Sequence, residues 1–102
     1  MAANGNPIRV ERSGPAGRYV LPLEKDAEAE LLFHERTAGV IAITYVEVPF
    51  SHRGNGLGER LVEHAVREAH AIGHKVVPLC SFARRVFEAH PEWTEPTPIP
   101  PA

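Results

Sequence analysis

Hydrophobic and polar positions alternate through most of the first half of the chain, which is the pattern of β-strands with one buried face. Four strands are predicted on this basis, at residues 8–12, 18–23, 28–36 and 40–48. The fourth is apolar at nearly every position of its first half, as expected of a strand covered on both faces. Pro49 ends it, because proline cannot donate a backbone hydrogen bond to a neighbouring strand.

The spacing of the apolar positions becomes that of a helix after residue 56. The positions with this spacing are Leu57, Leu61, Val62, Ala65, Val66, Ala69 and Ile72. Gly73 is expected to close the helix, because glycine is favoured just beyond a helix C-terminus. A short buried strand is predicted at residues 75–79, and a second helix at 82–89, before Pro91.

The predicted element order is β-β-β-β-α-β-α, an α/β (α+β) fold with a mixed sheet. The first strands are expected to pair antiparallel, and residues 40–79 to form a right-handed parallel strand-helix-strand crossover. One domain is predicted over residues 7–93, after a flexible N-terminus at 1–6. Residues 94–102 form a Pro-rich tail that we expect to be flexible, although such segments can also be ligands of partner domains.

The composition narrows the classes of function. The chain has 102 residues, 43% of them hydrophobic, and its net charge of −2 lacks the basic surplus typical of nucleic-acid-binding proteins. A single cysteine, Cys80, excludes an intrachain disulfide. No apolar run has the length of a membrane span, and the first residues lack the pattern of a signal peptide. We therefore expect a cytoplasmic protein that binds neither nucleic acid nor membranes.

A glycine-rich loop separates the fourth strand from the long helix. It contains Arg53, Gly54, Asn55, Gly56 and Gly58. The first turn of a helix leaves backbone N–H groups unpaired and carries partial positive charge. Glycines let an anion approach these groups and permit backbone angles that direct several of them to one point. The loop predicts an anion site suited to a diphosphate; the structural alternative is a tight turn that needs its glycines for the backbone alone.

Two common phosphate-binding patterns do not fit this loop. A Walker-type loop requires Lys and then Ser or Thr after its last glycine, but Glu59 and Arg60 follow Gly58. The dinucleotide-binding fingerprint would begin at Gly54 and require glycine at position 59, where this chain has Glu59. It would also follow the first strand of a parallel sheet, whereas several strands precede this loop. The pattern that fits is Arg-x-x-Gly-x-Gly, at residues 53–58.

This pattern resembles the signature of the GNAT acetyltransferase superfamily, which is Gln/Arg-x-x-Gly-x-Gly/Ala between a strand and a helix. The resemblance extends to Glu47-Val48-Pro49, to Val76-Val77-Pro78-Leu79-Cys80 and to His90-Pro91-Glu92-Trp93. It covers about residues 7–93 and is to the short, single-domain branch of predicted N-acetyltransferases.

The resemblance implies that acetyl-CoA is the co-substrate and that the loop amides hold its pyrophosphate. It also implies that backbone groups of the fourth strand line the pantetheine arm, with one amide polarising the thioester. The implied cofactor-binding residues are Val46, Glu47, Val48, Arg53, Gly54, Asn55, Gly56, Leu57 and Gly58.

Glu47 and Cys80 are the candidate catalytic residues. Glu47 would serve as a general base if partly buried, and would be an ordinary exposed charge otherwise. Cys80 precedes the second helix, whose N-terminus favours a thiolate; the resemblance implies a nucleophile or a proton donor to the departing thiolate, and the alternative is a small buried apolar side chain. Tyr45 stands where many members of the superfamily have histidine, so proton transfer would here use Tyr45 or another group.

The leading hypothesis is an N-acetyltransferase acting on a primary amine of unknown identity, carried by a small molecule or a protein. The alternatives are a non-catalytic acyl-CoA-binding or sensing module and an interaction domain that recruits partners through its tail. His70 and His74 have the spacing of metal ligands, but Gly73 lies between them, so no metal is expected. The edge of a small sheet allows a monomer or a weak homodimer.

Overall fold

A two-residue turn at Gly14 and Pro15 folds the first two strands into a hairpin. Gly14 has a φ of +60°, which glycine adopts without strain. β1 (Arg9–Ser13) pairs antiparallel with β2 (Ala16–Pro22), with Ser13 opposite Ala16. β2 therefore begins before the predicted residue 18. The run of turn-forming residues in the sequence predicted a longer turn than the two residues that the structure has.

The structure is a computed structural model that describes residues 6–94. Beyond the hairpin it contains β3 (Glu28–Thr37), β4 (Val40–Glu47), α1 (Leu57–Ala71), β5 (Lys75–Pro78) and α2 (Ser81–Glu88). Short 3-10 turns lie at Glu24–Asp26, Phe50–His52 and Pro91–Thr94. Residues 1–5 and 95–102, which hold most of the predicted flexible N-terminus and Pro-rich tail, lie outside the described residues.

The five strands form one mixed sheet in the order β1-β2-β3-β4-β5. The first four pair antiparallel with their neighbours, and β4 and β5 pair in parallel through the crossover helix α1. The predicted fold class and the order β-β-β-β-α-β-α are thereby confirmed.

Both helices pack on one face of the sheet. The buried side of α1 meets strand residues such as Leu31 and Ile43, which are fully buried. Ala83, Val86 and Phe87 of α2 belong to the same core cluster. α1 differs from the predicted helix only at its C-terminal end. Ile72 follows the last helical residue and is 62% exposed, so it contributes little to the core.

Charged side chains cover the opposite face near β1 and β2. Arg9 and Arg18 make ion pairs of 2.6 to 2.9 Å with three glutamates of β1 and β3: Glu11, Glu28 and Glu30. Among residues 6–94 no helix packs on this face. The fold is therefore a two-layer arrangement, in which the helices lie on one side of the sheet.

Candidate functional site

An extra residue in β4 changes the course of this strand. Phe33 of β3 pairs with Ile43, and the preceding Leu32 pairs with Tyr45, so Thr44 has no opposite residue. A β-bulge of this kind bends the strand and increases its local twist. The side chains of β4 change from buried to exposed at the same point, between Ile43 and Thr44.

The pairing between β4 and β5 also ends at this point. Ile43 and Pro78 form the last parallel pair, and the amides of Leu79 and Cys80 both donate to the Ile43 carbonyl, at 2.9 and 3.3 Å. β4 continues to Glu47 without a paired residue from β5. Among residues 6–94, one backbone edge of β4 is thus left without a strand partner, directly before the glycine-rich loop.

The loop reaches α1 through two glycines in the left-handed region. Gly54 has a φ of +86° and Gly56 a φ of +77°. Gly56 is the N-cap of α1 and provides no side-chain cap, and the first helical hydrogen bond runs from the Arg60 amide to the Gly56 carbonyl at 3.0 Å. The amides of residues 57–59 therefore have no acceptor within the helix and are available to an anion.

These features meet in a cavity of about 390 Å³ between the end of β4 and the start of α1. Its lining consists of Val46, Glu47, Val48, His52, Arg53, Gly54, Gly56, Leu57, Gly58, Glu59 and Phe82. Of the nine predicted cofactor-binding residues, Asn55 alone is absent from this lining. Its side-chain nitrogen Nδ2 instead donates to the His52 carbonyl at 3.3 Å, within the loop.

Gly58 has a different structural role from the two glycines before it. A Cβ at Gly54 or Gly56 would meet nothing within 4 Å, but a Cβ at Gly58 would lie 2.7 Å from the Phe82 ring. Gly58 lies inside the helix and is buried. The first two glycines thus leave the cavity open, whereas the third allows α2 to bring an aromatic ring against α1.

Arg53 joins the loop to the end of β4. Its Nε donates to the Val48 carbonyl at 2.8 Å, and its Nη2 lies 3.5 Å from Glu47 Oε2. The guanidinium also lies over the Phe50 ring, at 5.6 Å from its centroid. The side chain is 56% exposed, so this cation faces the cavity and the solvent.

The sequence left open whether Glu47 is partly buried or an ordinary exposed charge. Its side chain is 41% exposed, which lies between these two environments. Tyr45, two residues earlier on the same strand, donates its hydroxyl to Glu47 Oε1 at 2.6 Å. This hydrogen bond raises the pKa of Tyr45, because a phenolate would stand beside a carboxylate. Tyr45 therefore keeps its proton at neutral pH and fixes the orientation of Glu47.

Cys80 caps α2 and does not line the cavity. Its Sγ accepts a hydrogen bond from the Ala83 amide at 3.3 Å, the geometry of a side-chain N-cap. The thiol is partly exposed. The structure thus places Glu47 in the predicted cavity and Cys80 at the adjacent end of β5.

The sequence did not assign three of the cavity residues, which are His52, Glu59 and Phe82. Two of them come from tertiary contacts. Phe82 is brought in by α2. His52 bridges Ser51 and Glu24: its Nε2 lies 2.7 Å from Glu24 Oε1, and its Nδ1 lies 3.0 Å from Ser51 Oγ. The contact of His52 with the turn after β2 joins residues that are far apart along the chain, so the sequence carries no signal of it.

Neither a metal cluster nor a membrane-spanning helix is found in the part of the chain that the structure describes. No group of three or more His, Cys, Asp or Glu side chains among these residues could hold a metal ion. None of the described helices has the length and apolar character needed to cross a membrane.

The sequence profile of the family described as GCN5-related N-acetyl-transferase matches residues 18–96. The chain belongs to this family. The solution structure of a protein from Staphylococcus aureus, described as a "GCN5-like putative N-acetyltransferase", has the same fold, with a TM-score of 0.65 at 21% identity. The similarity covers 86% of this chain and 85% of that protein. No curated protein matches the chain significantly.

GCN5-related N-acetyltransferases generally use acetyl-CoA as co-substrate and amines as acceptors. The segment of this chain that matches the family contains every residue that lines the cavity. The predicted membership in the GNAT superfamily is therefore confirmed.

Proposed function

We propose that this protein binds acetyl-CoA in the cavity between β4 and α1 and transfers the acetyl group to a primary amine. The observation that carries the proposal is the junction of two features in one cavity: an uncapped, glycine-lined helix N-terminus and an unpaired edge of β4. The first suits a diphosphate and the second an extended amide-containing arm. The acceptor is a small molecule or a protein amine.

The glycine loop supports a diphosphate at the start of α1. Nothing lies within 4 Å of a Cβ position at Gly54 or Gly56, so an anion could approach the backbone there. Backbone N–H groups and the helix dipole both favour negative charge at this point. Arg53 adds a full positive charge on the cavity wall.

The free edge of β4 supports the pantetheine arm. That arm contains amide groups, which can pair with the N–H and C=O groups of an unpaired strand as an added strand would. Val46 and Val48 also pack against the core and offer apolar surface to the arm. We propose that one backbone amide of residues 46–48 polarises the thioester carbonyl as negative charge develops on its oxygen.

The proposed chemistry is attack of an amine on a thioester. The acceptor ammonium gives one proton to the Glu47 carboxylate, and the nitrogen lone pair then attacks the thioester carbon. The carbon–sulfur bond breaks as the amide forms, and the second proton leaves the nitrogen for the departing sulfur, with Cys80 as the proposed relay. An ammonium and acetyl-CoA thus give an N-acetyl amine, coenzyme A with a free thiol, and one proton that Glu47 releases to solvent.

Gly56→Glu tests the assignment of the loop. A carboxylate at this position would occupy the proposed diphosphate site, so we expect the affinity for coenzyme A to fall by about 100-fold or more in calorimetry. Gly14→Glu is the matched control, because Gly14 also has a positive φ and open space around its Cβ position but lies in the β1–β2 turn. Equal affinities of the two variants would contradict the assignment.

A non-catalytic acyl-CoA-binding module is the second candidate function. The position of Cys80 favours it, because the thiol caps α2 and is not part of the cavity lining. Glu47→Gln separates the two functions. For an enzyme, turnover on a panel of amines should fall by about 100-fold or more while coenzyme A still binds, because general-base catalysis contributes at least that factor. Binding of coenzyme A without turnover of any amine by the wild-type protein would favour the module.

A further inference from the structure

Exposed apolar side chains are grouped beside the cavity. Among residues 6–94, the large apolar side chains with the greatest exposure are Val10, Tyr45, Phe50, Ile72 and Leu79. Three of these five lie near the end of β4, in the turn that follows it, or directly after β5: Tyr45, Phe50 and Leu79. Single exposed apolar residues are ordinary, but a group of them at a cavity indicates a binding surface.

A chain of contacts joins the two aromatic rings of this group through Glu47. The Tyr45 hydroxyl donates to one Glu47 oxygen at 2.6 Å, and Arg53 Nη2 lies 3.5 Å from the other. The Arg53 guanidinium in turn lies 5.6 Å from the centroid of the Phe50 ring. Tyr45 is 46% exposed and Phe50 is 82% exposed, so both rings offer apolar surface to a ligand. The carboxylate that lines the cavity is thus connected to an exposed ring through each of its oxygens.

Leu79 extends this surface to the neighbouring strand. Its amide donates to the Ile43 carbonyl at 2.9 Å, and Tyr45 lies two residues after Ile43 on β4. Leu79 follows β5 at the point where the pairing with β4 has ended. The exposed apolar surface therefore has residues on both sides of the gap between these strands. We call Tyr45, Phe50 and Leu79 the rim residues.

The charges near Glu47 favour an acceptor that carries one positive charge. Glu30, opposite Glu47 on β3, is paired with Arg18 at 2.6 Å. Glu59 lines the cavity from the first turn of α1, where the diphosphate is proposed to bind. A second ammonium group placed beside Glu47 would meet the Arg53 guanidinium, and the two cations would repel each other.

We propose that the acceptor is a primary amine with a single positive charge and an aromatic body. Its ammonium group contacts Glu47, and its ring packs on the rim residues. This inference rests on the proposed function and names the class of its acceptor. The smallest compounds with both parts are arylalkylamines, in which a short chain separates the amine from the ring.

Both parts of such an amine gain contacts at this place. The ammonium group makes a charge-assisted hydrogen bond to the carboxylate, and the aromatic body covers ring surface that is exposed to water in the free protein. Aromatic pairs also have favoured offset and edge-to-face arrangements. The hydrogen bond to Glu47 holds the Tyr45 ring in place before the acceptor binds, which lowers the cost of ordering it.

A panel of four acceptors tests the class at saturating acetyl-CoA: 2-phenylethylamine, ethylamine, 1,4-diaminobutane and a peptide that contains one lysine. We expect kcat/KM for 2-phenylethylamine to exceed that of each other acceptor by about 10-fold or more, the lower end of the effect of burying a large apolar group. Equal values for 2-phenylethylamine and ethylamine would overturn the inference. A preference for the diamine or for the peptide would overturn it as well.

Variants of Phe50 test whether the rim supplies the preference. In Phe50→Ser the ratio of kcat/KM for 2-phenylethylamine to that for ethylamine should fall by about 3- to 10-fold, mainly through KM, because a contact with the aromatic body is lost. Phe50→Tyr keeps a ring and should keep the wild-type ratio. Ile72→Ser is the matched control, since Ile72 is also large, apolar and exposed but follows α1 and does not line the cavity. An equal fall in Ile72→Ser would contradict the assignment of the rim.

The affinity for coenzyme A, measured by calorimetry, separates the rim from the cofactor site. Phe50→Ser should bind coenzyme A like the wild type, because Arg53 keeps its hydrogen bond to the Val48 carbonyl. A clear loss of this affinity would assign Phe50 to the cofactor and overturn the inference. Acetylation of amines without a preference for the aromatic one would overturn the inference and leave the proposed function standing. If the folded protein acetylates no amine, the proposed function fails and the inference fails with it.

Discussion

At the scale of single residues, backbone conformation distinguishes Gly56 from Gly58. Gly56 caps α1 in the left-handed region, with a φ of +77°, and a side chain there would meet open space. Gly58 is inside the helix, and a side chain there would meet the far end of the Phe82 ring. The backbone therefore requires glycine at the first position, whereas at the second an alanine needs only a shift of one ring.

Alanine at each position gives a direct test of this difference. Gly56→Ala should lower the free energy of unfolding by about 1–2 kcal/mol, because a left-handed conformation is strained for any residue with a Cβ. Gly58→Ala should change it by less than about 1 kcal/mol, because the better helix propensity of alanine offsets the displacement of the ring. Urea denaturation measures both values. A larger loss for Gly58→Ala would show that Phe82 cannot move.

The two tyrosines provide a test of the Tyr45–Glu47 contact. Burial raises the pKa of Tyr19, and the hydrogen bond to Glu47 raises the pKa of Tyr45, so both phenols should ionise above pH 10. Glu47→Gln should lower the pKa of Tyr45 toward 10 and leave the pKa of Tyr19 unchanged, so phenolate absorbance should show one of the two transitions moving. Because both pKa values are raised by folding, their contribution to stability is present below pH 10 and is lost as the pH rises through the folded values. Unchanged ionisation in Glu47→Gln would contradict the contact.

At the scale of elements, the site depends on the break in pairing that follows Ile43. Hydrophobic periodicity predicted β4, α1 and β5 and their order, because each element buries one continuous face. It did not predict the bulge at Thr44, which depends on how β4 pairs with β3.

The features of the candidate site divide in the same way, into those that the sequence predicts and those that it does not. The glycine loop could be predicted because its backbone angles demand a particular residue type. The contacts of Arg53 with Glu47 and of Phe82 with Gly58 could not, because each joins residues from separate elements.

Cys80 is the N-cap of α2 and is also the proposed relay in acetyl transfer. Cys80→Ser keeps an acceptor for the Ala83 amide, so stability should be close to that of the wild type, whereas Cys80→Ala should lose about 1 kcal/mol with the cap. If the thiol acts in transfer, both variants should lose activity while coenzyme A still binds. Thermal unfolding and a transfer assay separate these effects. Full activity in Cys80→Ser would assign the cysteine to capping alone.

At the scale of the whole molecule, the two edges of the sheet are protected in different ways. β1 is exposed along its length and carries Arg9 and Glu11, whose charges disfavour pairing with another strand. At the other edge, the turn at Pro91–Thr94 packs against β5, and Trp93 of that turn stacks on His90 at 3.9 Å. Both features disfavour the pairing of a sheet edge with another strand.

Removal of the charges from β1 should therefore create self-association. In Arg9→Val/Glu11→Val, three consecutive valines would form the outer edge with the exposed Val10, and we expect dimers or larger species in sedimentation at micromolar concentration. Glu63→Val/Arg67→Val is the matched control, since it also removes one charge of each sign, but from α1, which has no free strand edge. The wild type and the control should sediment as monomers. Association of the control to the same extent would assign the effect to surface hydrophobicity, and a monomeric edge variant would show that the β1 charges are not what keeps the sheet unpaired.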